Sequence, residues 1–125
     1  MKKEILVVDD DLISQNILKI MLLDAGYSPI ITPSGKEAIR LAQERSPSLI
    51  ILDIMMPDMD GVEVANALKK DENTRDIPII FLSVLIPEKK ERRKRPQDEI
   101  SILSKPFERE RLLDEIRKYL AGPEI

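Results

Sequence analysis

Five short runs dominated by Ile, Leu and Val, at residues 5–8, 30–32, 49–52, 77–82 and 100–103, recur along this 125-residue chain and are separated by segments of helical period. Runs that are apolar nearly throughout suit strands covered on both faces, because a strand with one wet face alternates apolar and polar instead. The intervening segments carry stripes and caps. Ile13, Ile17, Ile20 and Met21 form a stripe after Asp11, and Ala38, Ile39, Leu41 and Ala42 follow the capping-box pair Ser34 and Glu37. Asp60 with Glu63 repeats the capping signature before Val64, Ala65 and Leu68, and Leu112, Leu113, Ile116, Tyr119 and Leu120 build a last helix that stops near Gly122 and Pro123. Strand and helix alternate, which requires crossover connections and a parallel sheet with helices on both faces. The simplest arrangement is an α/β, doubly wound, flavodoxin-like fold with five strands in the order 2-1-3-4-5. At this length a single domain with one core is expected, spanning residues 1–121, with 122–125 as a C-terminal tail.

One segment departs from the pattern. Between residues 88 and 99 no apolar side chain occurs, yet a fourth helix should pack there. A helix polar all round buries little beyond the aliphatic stems of Lys and Arg, so this helix is expected to be short, irregular or mobile. The run Lys89, Lys90, Arg92, Arg93, Lys94, Arg95 has no aromatic partner for stacking on bases, and the whole chain carries a net charge of −3. A solvated helix face explains it better than nucleic-acid binding, and an acidic protein surface is the functional alternative.

Composition narrows the chemistry. With no Cys and no His, disulfides, thiolate metal sites and imidazole bases are all excluded, which leaves carboxylates, hydroxyls and ammonium groups. No apolar run approaches a membrane span and Met1, Lys2 and Lys3 lead straight into a strand, so a cytoplasmic location and no membrane partner are expected.

In open parallel sheets the binding crevice lies beyond the carboxyl ends of the strands. The residues just past the apolar runs are Asp9, Asp10 and Asp11 after the first, Asp53 after the third, Ser83 after the fourth, and Ser104, Lys105 and Pro106 after the fifth. Clustered carboxylates repel and call for a cation, and Mg²⁺ suits them because it binds through one or two carboxylates and keeps positions for water and phosphate oxygens. Lys105 adds a fixed positive charge. Such a rim can hold a phosphoryl group in line with a carboxylate nucleophile, and Asp53 is the candidate because its strand is central in this order. Taken singly, each residue has a plainer reading. Asp11 is read as the cap of the first helix, Asp53 beside Pro57, Asp58, Asp60 and Gly61 also fits turn chemistry, Ser83 fits local backbone bonding, and Lys105 fits an ordinary turn lysine. Their joint placement on one rim favours the site.

These residues carry a family resemblance. From LVVDDD in the first strand, through LDIMMPDMDG, to KPF before the last helix, the whole chain resembles a response-regulator receiver domain of two-component signalling. The resemblance implies a phosphoacceptor switch rather than an enzyme of metabolism. Asp53 would take a phosphoryl group from the phosphohistidine of a sensor kinase or phosphotransfer protein, with Mg²⁺ held by Asp10, the Asp53 carboxylate and the Met55 carbonyl, and with Asp9 acting through a bound water. It further implies that Ser83 and Lys105 bond the phosphoryl group, that a cis peptide precedes Pro106, and that phosphorylation changes binding to a downstream protein. Three positions depart from the family pattern. Ile102 stands where an aromatic residue is usual, and Asp98 and Glu99 replace small residues, so output through a rotating aromatic is not expected. Two other readings compete: a Mg²⁺-dependent phosphohydrolase with an aspartyl nucleophile, for which Asp9 and Asp11 have the right spacing, and a pseudoreceiver that binds partners without phosphorylation.

Overall fold

The structure is a computed structural model that describes residues 2–83 and 100–120. Among these residues the order is β1 (Glu4–Val8), α1 (Leu12–Asp24), β2 (Ser28–Thr32), α2 (Gly35–Arg45), β3 (Leu49–Asp53), α3 (Gly61–Lys70), β4 (Ile79–Ser83), β5 (Ile100–Ser104) and α4 (Arg109–Leu120). The five strands are parallel and lie in the order β2-β1-β3-β4-β5, as the alternating pattern requires. The expected charged helix at 88–99, Asp98, Glu99 and the tail 122–125 lie outside the described residues.

Strand periodicity sorts the core into two layers. Ile5, Val7, Leu49, Ile51, Ile80 and Leu82 point to one face and pack with Leu18 and Leu22 of α1 and Leu113 and Ile116 of α4. The alternate residues Leu6, Val8, Ile50, Leu52, Ile79 and Phe81 point to the other and meet Ala38 and Ala42 of α2 and Val64 and Leu68 of α3. Every residue of β3 and β4 is buried, whereas edge strand β2 is only half-buried over four of its five residues. Each fully buried Leu, Ile or Val contributes about 1.5–3 kcal/mol relative to exposure, so the inner strands anchor the rim that follows them.

The helix ends agree in part with the expected caps. Asp60 and Glu63 make a reciprocal capping box on α3. On α2 the Ser34 side chain accepts from the Glu37 amide, but the Glu37 carboxylate bonds Thr32 Oγ1 at 2.7 Å and Arg40 at 3.0 Å and does not return to the cap. Helix α1 is capped by Ala25 and followed by Gly26, whose φ of +94° favours glycine.

The apolar stripe of α1 requires a correction. Met21 is buried, but Ile13, Ile17 and Ile20 are 69%, 52% and 62% exposed, and the sheet is covered by Leu18, Met21 and Leu22. An apolar row at i, i+4 and i+7 marks a face without stating what it faces, and α1 carries enough apolar residues for two faces.

Candidate functional site

Four strand ends build one acidic rim. Oxygens of Asp9, Asp10 and Asp53 lie within 4.8 Å of one another, with Asp9 and Asp53 buried and Asp10 exposed. The Lys105 ammonium reaches across from β5, 2.7 Å from Asp9 Oδ2 and 3.7 Å from Asp53 Oδ2, and donates to Ser14 Oγ at 3.4 Å. Ser83 is buried at the end of β4, and its carbonyl accepts the Lys105 amide at 3.0 Å, which ties the hydroxyl-bearing residue to the lysine through the backbone. The Lys105–Pro106 peptide is cis. The rim expected from the sequence is thus assembled: Asp9, Asp10, Asp53, Ser83 and Lys105 all sit at the carboxyl edge of the sheet.

The local chain holds Asp9, Asp11 and Asp53 in place. Asp9 is held from four directions: its amide donates to the Thr32 carbonyl, its carbonyl accepts from Gln15 Nε2 at 2.6 Å, and its two carboxylate oxygens accept from the Asp11 amide and Lys105. Asp11 accepts the Ser14 amide at 3.0 Å as the cap of α1. The hydrogen bonds from Ser14 hold its carboxyl below the ordinary value. Asp11 thus plays the capping role that the sequence offered as its plainer reading.

Asp53 ends the central strand, and the following loop closes over it. The Met55 amide donates to Asp53 Oδ1 at 3.3 Å, and Gly61 at the start of α3 donates its amide to the Ile54 carbonyl at 2.8 Å. A Cβ at Gly61 would stand 2.5 Å from the Asp53 carbonyl oxygen and 2.8 Å from Ile54 Cα, so only glycine permits this approach. Burial pushes the Asp53 carboxyl up to about 6. Lys105 and the Met55 amide pull it down, while the neighbouring Asp9 and Asp10 push it higher.

Three carboxylates face one ammonium, and one of the three stays open to solvent. That donor set fits a hard divalent cation that is held by few protein oxygens and retains water. Ser14 and Gln15 touch this rim without having been anticipated, Ser14 through Lys105 and Gln15 through the Asp9 carbonyl, while Asp58, expected only as a turn residue, bonds the start of α2. A serine, a glutamine and a turn aspartate have no signature that distinguishes them from surface residues.

Residues 5–117 match the model of the response regulator receiver domain. The polar-differentiation response regulator DivK of Brucella ovis is 35% identical over 120 residues, covering 96% of this chain and 98% of that relative. Among solved structures, the chemotaxis protein CheY4 of Vibrio cholerae superposes with a TM-score of 0.81 at 32% identity, covering 96% of this chain and all of that one. The receiver domain of a Pseudomonas aeruginosa sensor histidine kinase, whose structure holds a magnesium ion in its active-site cleft, superposes with a TM-score of 0.83 at 26% identity, covering 98% of this chain and all of that one.

Proposed function

This chain belongs to the response-regulator receiver family, and from that membership we propose that Asp53 is its phosphoacceptor. The carrying observation is the convergence of Asp9, Asp10 and Asp53 opposite Lys105, with Asp53 on the central strand. The protein works as a two-component switch, a regulatory phosphoacceptor without turnover of an external substrate. Asp9, Asp10, the Asp53 carboxylate and the Met55 carbonyl are the candidate holders of Mg²⁺, which when bound neutralises carboxylate and phosphoryl charge.

Asp53 attacks the phosphorus of a phosphohistidine. The new O–P bond replaces the N–P bond, and the imidazole nitrogen keeps the electron pair. Lys105 and Ser83 are the groups on the rim that would bond the phosphoryl oxygens, and a backbone hydrogen bond joins the two residues. The donor is a sensor kinase or phosphotransfer protein that has to reach this rim. A recess of about 450 Å³ lined by Asp11, Ser14, Ile17, Lys105, Pro106 and Phe107 runs from the site onto α1, where Ile13, Ile17 and Ile20 offer apolar contact. This is the face we assign to the donor, and it gives the exposed stripe a use that packing does not. No helix among the described residues is long and apolar enough to cross a membrane.

Intact-mass measurement after incubation with Mg²⁺ and acetyl phosphate tests the assignment. The wild type should gain one phosphoryl group and Asp53→Asn none. Unchanged wild-type mass defeats the switch reading, which would leave a pseudoreceiver, and an adduct on both proteins puts the acceptor elsewhere.

A further inference from the structure

In the loop from Ile54 to Asp60, Met56 is buried in the core and Ile54 and Met59 pack against it, but Met55, Pro57, Asp58 and Asp60 are exposed, so something besides the core has to set the position of the exposed turn. The structure shows what does. The Asp58 carboxylate accepts the Gly35 amide at 3.1 Å through Oδ2 and at 3.4 Å through Oδ1, and it accepts the Ser34 hydroxyl at 3.1 Å. It occupies the N-terminus of α2, where unpaired amides and the helix dipole favour a negative group. Partial desolvation opposes ionisation there, but hydrogen bonds from Gly35, Ser34 and Lys36 outweigh it and hold the Asp58 carboxyl below its ordinary value.

A second lock lies beside the first. A Cβ on Gly35 would stand 2.9 Å from Val64 Cγ2, 3.1 Å from Met59 Cβ and 3.3 Å from the Met59 carbonyl oxygen, so the start of α2 presses directly on the loop and on α3. Ser34 links the two, since its hydroxyl donates to Asp58 and accepts the Glu37 amide. Helix α2 is itself anchored by the buried Ala38 and Ala42. The loop is therefore clamped at its inner end by Gly61 on the Ile54 carbonyl and at its outer end by Asp58 on α2.

We propose that Asp58 is a positioning residue for the metal site: by docking on the N-terminus of α2 it holds the loop in which the Met55 carbonyl is presented. The proposal rests on the reading of Met55 as a metal ligand. It makes α2 part of the machinery that sets cation affinity, although α2 contributes no ligand.

The test is Mg²⁺ titration by calorimetry of wild type, Asp58→Ala and Asp58→Asn, with amide hydrogen exchange across residues 54–60. Asn keeps an oxygen acceptor but loses the charge, so it separates tether from electrostatics. Asp58→Ala should weaken Mg²⁺ binding roughly 10-fold, the lower end of what partners one layer behind a metal ligand carry. Exchange at Met55 and Met56 should speed up. Phosphorylation by acetyl phosphate at saturating Mg²⁺ should match wild type, because only the half-saturating Mg²⁺ concentration moves. Asp58→Asn should bind as wild type does. Wild-type affinity in Asp58→Ala, or equal weakening in Asn and Ala, overturns the tether while leaving the phosphoacceptor reading standing. Absence of Mg²⁺ binding by the wild type overturns both.

Discussion

Replacing Asp53 with Asn should stabilise the metal-free protein at neutral pH while abolishing its phosphorylation. Burial beside Asp9 and Asp10 raises the Asp53 carboxyl from its ordinary 3.8 to about 6, with Lys105 only partly compensating. For an acid whose folded value is raised, the folded state holds more protons than the unfolded state between the two values, so unfolding free energy falls as pH rises from about 4 to about 6. The penalty is absent below pH 3.8 and complete above about 6. At about 1.4 kcal/mol for each tenfold change in proton affinity, ionised Asp53 costs the fold up to about 3 kcal/mol. Asn mimics the protonated acid and keeps an oxygen for the Met55 amide, so it should recover about 1–3 kcal/mol at pH 7.5 in chelator. With about 2.1 cal/mol/K of unfolding entropy per residue, that gain raises Tm by about 4–11 °C. Thermal denaturation from pH 4 to 8 checks it, and the two curves should converge toward pH 4. Added Mg²⁺ should then raise Tm more in the wild type than in the variant, since the repulsion it relieves is larger there. A destabilised variant, or a gap that persists unchanged at pH 4, would refute the electrostatic account of this rim.

Two other substitutions separate architecture from docking. Gly61→Ala forces a Cβ to within 2.5 Å of the Asp53 carbonyl oxygen and should cost about 1–3 kcal/mol, read by denaturant unfolding; an unchanged midpoint would mean that the loop can move aside. Ile17→Lys, at a half-exposed position, should change stability by no more than about 0.5 kcal/mol. It should leave phosphorylation by acetyl phosphate intact while slowing transfer from the kinase, and equal transfer rates would remove α1 from the donor face.

The sheet order was legible because the constraints on it are few and strong. Nearly continuous Ile, Leu and Val runs have to be covered twice, and helices between them force parallel pairing. The rim was legible for a related reason: in such a sheet the position just after a strand is also a position in space, so Asp9, Asp10, Asp53, Ser83 and Lys105 could be brought together without knowing any angle. Hydrophobic periodicity failed where one element had apolar residues to spare. In α1 the row Ile13, Ile17, Ile20 matches a core stripe as well as Leu18, Met21, Leu22 does, and only the sheet's position decides which is covered. That ambiguity is informative about function. A helix beside the acidic rim that leaves three isoleucines more than half exposed gives up part of the roughly 1.5–3 kcal/mol that full burial of each would contribute, a cost that a transient partner's surface can offset. The contacts of Asp58 were illegible for the opposite reason, since a turn aspartate bonds its own loop in most settings and here reaches 23 residues back along the chain to Gly35. Long-range polar contacts of this kind have no period. They appear only once two independently legible elements, α2 and the loop after β3, are set side by side.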